Sequence, residues 1–321
     1  MREHDPLAYA TAYHAPVLCN NVITSLVTSR GGVYVDATLG GGGHSHALLD
    51  ALAPEGHVFG IDQDDDALRT ANTRLTPFYE SGRFRALKGN FADMADLLNE
   101  AGITEVDGVL MDLGVSSYQI DTAERGFSIR ADGPLDMRMN ADAGLTAHDI
   151  VNGWTEGDLR QILYDFGEEK RGRRLAHAMV QARPLDTTHE LAALIRTHVP
   201  TRDEAKTVAR VFQALRIAVN AELSVLEQAL VQATTLLKEG GRLAVISYHS
   251  LEDRRVKRFF RSGDGSGEAE RDLYGNVLSP LTPLTRKAII ADAEEIERNP
   301  RARSARLRIA ERTAHPLPVQ S

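Results

Sequence analysis

The sequence predicts an α/β protein, a doubly wound parallel sheet of Rossmann-like type interrupted by an inserted helical subdomain. Three observations predict it. Short apolar strand patterns alternate with helical ones through the first part of the chain. A run of four glycines, Gly40 to Gly43, follows the first of those strands and opens a helix. About a hundred residues then separate the fourth strand from the helix that should carry its crossover, where a dozen or so normally suffice.

The elements follow in order. Gly32-Val33-Tyr34-Val35-Asp36 reads as a short buried strand, and Ser45-His46-Ala47-Leu48-Leu49 as the helix after the glycines. His57-Val58-Phe59-Gly60-Ile61 is a second strand, and Ala67 to Leu75 a helix. Arg83 to Leu87 is a weaker third strand, and Val106 to Met111 a fourth, ending at Asp112. The intervening region is helical. Thr155-Glu156-Gly157-Asp158 and Thr187-Thr188-His189-Glu190 have the Ser/Thr-x-x-acid form of a helix start. Glu168 to Ala182 predicts a helix closed before Pro184, and the helix from Leu191 closes before Pro200. Trp154, the only tryptophan, fits the core of this insertion. From Leu223, apolar residues at Leu226, Leu230, Ala233 and Leu237 mark one helical stripe. Gly240-Gly241 is expected to stop that helix, and Arg242 to Ser247 to form the fifth strand. Arg306-Leu307-Arg308-Ile309-Ala310 is expected as a last strand at the sheet edge. The expected domains are therefore 1–119 (first part of the sheet), 120–212 (insertion) and 213–321 (second part, with a basic C-terminal segment).

Composition narrows the function classes. The 321 residues carry 45 acids against 37 bases, a net charge of −8, which excludes a uniformly basic nucleic-acid coat but not local patches. An apolar fraction of 42% and a charged fraction of 26% suit a soluble globular chain. No apolar run approaches the ~18 residues that span a bilayer, and Met1 to Pro6 lead into no apolar signal core. Cys19 is the only cysteine, so the expectation is a reducing, cytoplasmic location with no internal disulfide and no cysteine-rich zinc site.

The glycine loop points to a nucleotide-type ligand because backbone without Cβ atoms can approach it closely. It does not complete a dinucleotide fingerprint: in the two possible frames Ser45 or His46 occupies the place of the third glycine. No lysine directly follows a glycine, which excludes a Walker P-loop. Asp62 ends the second strand twenty positions after Gly42, where a carboxylate accepts hydrogen bonds from ribose hydroxyls; Asp64, Asp65 and Asp66 read as surface or helix-start acids. Phe91 is placed to cover an adenine face. A nucleoside cofactor without a pyrophosphate, S-adenosylmethionine, fits best. His44 and His46, two apart on a helix, do not share a face, and no H-E-x-x-H or C-x-x-C completes a site, so no metal is expected.

Asp112-Leu113-Gly114-Val115-Ser116-Ser117 lies where the methyl acceptor should sit, at the end of the fourth strand. Oxygen acceptors there suit an exocyclic amine, whose ring-delocalised lone pair needs localising, whereas methylation at a cytosine C5 carbon usually needs a cysteine thiolate, and Cys19 stands in no such motif. A flipped base between Ser116 and His249, with Asp112 fixing the cofactor, is the expected catalytic arrangement.

Several blocks then carry a family resemblance: His14-Ala15-Pro16-Val17-Leu18, Asp36 to Ser45, Asp112 to Ser117, Glu124 to Ser128, Asp132 to Met139, Phe212 to Ile217, Ser250 to Arg254 and Asn299 to Ala305. Together and in this order they resemble the ribosomal RNA small subunit methyltransferase H family, the bacterial 16S rRNA (cytosine-N4)-methyltransferases. The resemblance implies S-adenosylmethionine contacts at Gly42, Gly43, His44, Asp62, Phe91, Asp112 and Gln119, a decoding-region cytosine as substrate, and the small ribosomal subunit as partner. It departs from the family at Lys206 to Arg210 and at Gly263 to Leu278. No membrane partner is expected, and a homodimer is compatible with such a chain. Three basic clusters offer RNA contacts: Arg254, Arg255, Lys257, Arg258 and Arg261; Arg298, Arg301, Arg303, Arg306, Arg308 and Arg312; and Lys170, Arg171, Arg173 and Arg174. The rival readings are a nicotinamide-dependent dehydrogenase and a non-catalytic ribosome-assembly factor that keeps the fold.

Overall fold

The computed structural model describes residues 9, 16–142, 144–275 and 277–317; Met1 to Pro6, His14 and Ala15 lie outside the described residues. The chain divides into two compact units, one formed by the chain up to Gly114 and from Ser224 onward, the other by Val115–Leu223.

The first unit begins with α1 (Cys19–Leu26), β1 (Val33–Asp36), α2 (Gly43–Ala51), β2 (His57–Asp62), α3 (Asp65–Arg74), α4 (Thr76–Glu80), β3 (Phe84–Lys88), α5 (Met94–Glu100) and β4 (Val106–Asp112). The second unit holds α6 (Ser117–Asp121), α7 (Ala147–Gly153), α8 (Glu156–Asp165), α9 (Gly172–Gln181), α10 (Thr188–Thr197) and α11 (Glu204–Asn220), which runs unbroken across residues 212 and 213. After α12 (Glu222–Leu236) come β5 (Leu237–Ser247), α13 (Ser250–Ser262), β6 (Glu270–Arg271), β7 (Val277–Leu278), β8 (Leu281–Pro283), α14 (Ala293–Arg298) and β9 (Arg306–Arg312).

The seven-stranded sheet has the order β3-β2-β1-β4-β5-β9-β8. Its first five strands are parallel, and β9 is antiparallel to both β5 and β8. Side chains alternate across it with period two, as a strand buried on both faces requires. Tyr34, Val58, Leu110, Ala244 and Ile246 pack on one face with residues of α1, α2 and α3. Val35, Phe59, Val109, Met111, Leu243 and Val245 pack on the other with α5, α12 and α13. The sheet is doubly wound, as expected.

Three expectations need correction. The last strand is not the edge: β9 lies between β5 and β8, and the short β8, ending in Pro283, takes the edge instead. A three-residue strand with a proline is a poor template for further pairing, which suits that place. Gly240-Gly241 does not stop the preceding helix. α12 ends at Leu236 and β5 begins at once; Gly240, at φ 78°, sits where the pairing with β4 jumps from Val106↔Leu237 to Gly108↔Arg242. The glycine serves a bulge in the strand. The helix expected from Glu168 starts only at Gly172. Glu168 has φ 47°, and the fully buried Glu169 turns inward to Arg171 and Arg210; its charge is met by two guanidiniums, so the turn replaces the first helical turn.

The second unit has its own apolar core, including Leu135, Ile150, Leu163, Leu191, Val211 and Leu215, with Trp154 packed against it. Thr155 and Thr187 cap α8 and α10 by accepting from the backbone N–H of Asp158 and Glu190, as the sequence spacing predicts.

Candidate active site

Three carboxylates end three neighbouring strands: Asp36 on β1, Asp62 on β2 and Asp112 on β4. β1 lies between β2 and β4, and the chain winds away from it in both directions. This is the switch point where open α/β sheets receive ligands beyond the strands' carboxyl ends.

The glycine loop forms a backbone cradle beside them. Gly40 and Gly42 are left-handed, with φ of 49° and 73°, a conformation that strains any other residue. A Cβ on Gly42 would come within 3.2 Å of Leu75 and 3.3 Å of Ala71. Asp62 shapes the loop from below: its Oδ2 accepts from the Gly40 N–H at 2.8 Å and its Oδ1 from the Asp64 N–H at 2.9 Å. A carboxylate offers about four acceptor positions, so both oxygens keep capacity for a ligand. Phe91 follows β3 in a short 3-10 turn, and the Gly89 N–H donates to the Asp62 carbonyl at 3.0 Å. The end of β2 and the start of the turn that carries Phe91 are thus joined backbone to backbone. Asp64, expected as a surface or helix-start acid, is buried and caps α3 through the Asp66 N–H.

Asp112 ties three elements together. Its Oδ1 accepts from the Tyr248 hydroxyl at 2.8 Å, its own N–H donates to Thr38 Oγ1 at 2.6 Å, and its Oδ2 lies 3.6 Å from His44 Nδ1. His44 donates from Nε2 to the Val17 carbonyl at 2.9 Å. Asp36 accepts from the Ser45 hydroxyl at 2.7 Å. Burial pushes the carboxyl groups of Asp62 and Asp112 up to about 6, and Asp36 and its acidic neighbours add to the effect. Burial also raises Asp36, against the opposing pull of His44 and Ser45. Clustered, desolvated acids of one sign favour a cationic ligand and repel a pyrophosphate.

His249 begins the turn into α13 as its N-cap. Its Nε2 is 3.1 Å from Glu252 Oε1. Glu252, buried, accepts from the backbone N–H groups of Tyr248 and His249. Ser116 and Gln119 belong to the second unit and form a capping box on α6. Ser116 Oγ accepts from the Gln119 N–H at 3.2 Å, and Gln119 Oε1 accepts from the Ser116 N–H at 3.0 Å.

Sequence reasoning missed four participants. Tyr248 and Glu252 act across or along the chain in ways no short motif signals. Burial, Asp112 and Glu252 raise the Tyr248 hydroxyl, and Arg301, within the Asn299 to Ala305 block, opposes that rise. Arg74 ends α3 and donates to the carbonyls of Gly41 and Tyr9, pinning the glycine loop from outside. The basic clusters also divide. Arg171, Arg255 and Arg308 are bound to Glu169 and Asp203, to Glu227 and to Asp253, and Arg312 to backbone carbonyls. Lys170, Arg173, Arg174, Lys257, Arg258, Arg261, Arg303 and Arg306 are exposed.

The model of the MraW methylase family matches residues 11–313. A protein named ribosomal RNA small subunit methyltransferase H from Phocaeicola vulgatus is 46% identical over 303 residues, covering 94% of this chain and 97% of the relative. The protein of that name from Chlorobium chlorochromatii is 50% identical over 325 residues, covering 95% and 98%. That from Trichlorobacter lovleyi is 47% identical over 309 residues, covering 94% and 98%. With the match spanning both units and every strand of the sheet, the chain belongs to the MraW methylase family.

Proposed function

We propose that the protein transfers a methyl group from S-adenosylmethionine to the exocyclic N4 amine of a cytosine in the decoding region of 16S rRNA, acting in the cytoplasm on the small ribosomal subunit. The observation that carries the reading is the convergence of Asp36, Asp62 and Asp112 on a glycine cradle at the switch point of the sheet. S-adenosylmethionine fits this donor set: a sulfonium and an ammonium suit clustered, desolvated carboxylates, and the ribose suits the spare lone pairs of Asp62. Gly42, Gly43, His44, Asp62, Phe91, Asp112 and Gln119 would hold it. When bound, it supplies an electrophilic methyl on a positively charged sulfur.

Small-subunit ribosomal RNA as substrate is supported by the names of the relatives, and an amine as acceptor by the state of the only cysteine. Cys19 is buried in α1, and burial pushes its thiol up to about 12, so it is no thiolate nucleophile for attack on a ring carbon. In the proposed step Asp112 orients the reacting groups, while Ser116 or His249 accepts a hydrogen bond from the amine and localises its lone pair. Ser116 already caps α6, and its hydroxyl retains a second lone pair for this task.

Asp62→Ala is expected to weaken cofactor binding by about 1–3 kcal/mol, because it unpairs the Gly40 and Asp64 N–H groups as well as the ribose. Calorimetry checks it; unchanged affinity would place the ribose elsewhere. A pH dependence follows too. Asp62 and Asp112 titrate at about 6 instead of 3.8, so the folded protein retains protons that the unfolded chain sheds in that window. Folding stability attributable to these groups therefore falls as pH rises from about 4 to 6, and the loss is complete above. A cationic ligand reverses the preference: affinity should rise between pH 5 and 7 with proton release near pH 6, read by calorimetry in buffers of different ionisation enthalpy. A flat profile would contradict the acid cluster's role.

Turnover of methyl-labelled S-adenosylmethionine with purified small ribosomal subunits tests the reading. Label in 16S rRNA supports it. Binding of subunits without transfer would favour a non-catalytic assembly factor, and ultraviolet-monitored binding of a nicotinamide dinucleotide would favour the dehydrogenase.

A further inference from the structure

We propose that the outer face of α13 is a phosphate track that holds the backbone of the RNA substrate. α13 starts two residues beyond Tyr248, at the same end of the sheet as Asp112. On its apolar side Val256, Phe259 and Phe260 are packed in the core of the sheet and Leu251 is buried. The exposed side carries Ser250, Arg254, Lys257, Arg258 and Arg261. The four cations recur at i, i+3, i+4 and i+7, one stripe of a helix, spanning roughly 10 Å at 1.5 Å per residue.

The acids of this helix are turned away from that stripe. Glu252 is buried in the first turn, and Asp253 is held by Arg308 of β9 in a two-pronged pair at 2.7 and 3.2 Å. Arg255, to one side, is paired with Glu227. Lys257, Arg258 and Arg261 have no carboxylate within ion-pair distance among the described residues. Arg306 and Arg303, also exposed and unpaired by that criterion, extend the field toward the strand end, since Arg306 pairs in register with Ser247. The chain as a whole carries −8, so three neighbouring cations on one helix face with no ion-pair partner among the described residues are an exception within it. Lys257, Arg258 and Arg261, in a line and without carboxylate partners among the described residues, match a polyanion whose charges are themselves in a line. RNA is favoured over an anionic bilayer because the stripe carries no exposed apolar residue to insert into lipid.

The inference rests on the proposed RNA substrate, and the test separates the two. The triple variant K257Q/R258Q/R261Q changes only exposed side chains. Binding to small ribosomal subunits and to single-stranded poly(U) is measured across a salt series beside the parent. The expected result is affinity lower by tenfold or more near 0.1 M salt, and a log K against log salt slope flatter by roughly 2–3, at about 0.7–0.9 per lost contact. S-adenosylmethionine affinity should stay at the parental value. Equal affinity and slope in parent and variant overturn the track, even if the parent methylates subunits. A loss confined to phosphatidylglycerol vesicles overturns it too. If the parent transfers no methyl yet shows the expected loss on poly(U), the track stands and the proposed reaction fails.

Discussion

Asp112→Ala is expected to lower the single-turnover rate of methyl transfer by ~10²-fold or more. The carboxylate is where three elements meet: Tyr248 from the end of β5 donates to it, His44 from α2 faces it, and Thr38 holds its backbone N–H. Alanine leaves the Tyr248 hydroxyl without its partner in a buried site and removes the charge beside His44. Weaker cofactor binding is expected as well, so the assay must be run at saturating S-adenosylmethionine, with affinity measured separately. A variant that binds weakly but reacts at the parental rate when saturated would restrict Asp112 to binding.

Loss of the insertion should be more severe. Replacing 122–221 by a flexible linker is expected to abolish methylation while leaving a folded sheet unit that binds the cofactor. The cuts keep α6, which carries Gln119, and fall at the C-caps of α6 and α11, so no helix is severed. They are tolerable in principle because the two units have separate apolar cores. The proposed role of the insertion is selection of RNA beside the methyl donor. Normal methylation of subunits by the folded, shortened protein would contradict it.

The parts of the site legible in the sequence are those set by local rules. Strands end where apolar runs give way to an acid, so Asp36, Asp62 and Asp112 could be placed at strand ends, and the parallel order put those ends side by side. Capping spacings located α8 and α10. The misplaced features depend on distant partners. Nothing near Arg306 shows that β8 will flank β9, and nothing near Glu168 shows that Glu169 will be drawn inward by Arg210. The arginine clusters looked equivalent in sequence because their counter-ions lie far along the chain: Asp253 for Arg308, Asp203 for Arg171. Tyr248 was hidden for the same reason, being 136 positions from the carboxylate it serves.

The most direct test of the proposed reaction is mass analysis of nucleosides from small ribosomal subunits incubated with the protein and S-adenosylmethionine carrying a heavy-isotope methyl. Subunits should come from a strain lacking its own enzyme of this kind. The proposed reaction predicts labelled N4-methylcytidine in 16S rRNA, lost with the Asp112→Ala variant. Label appearing in 5-methylcytidine, or in no nucleoside at all while the cofactor binds normally, would contradict it.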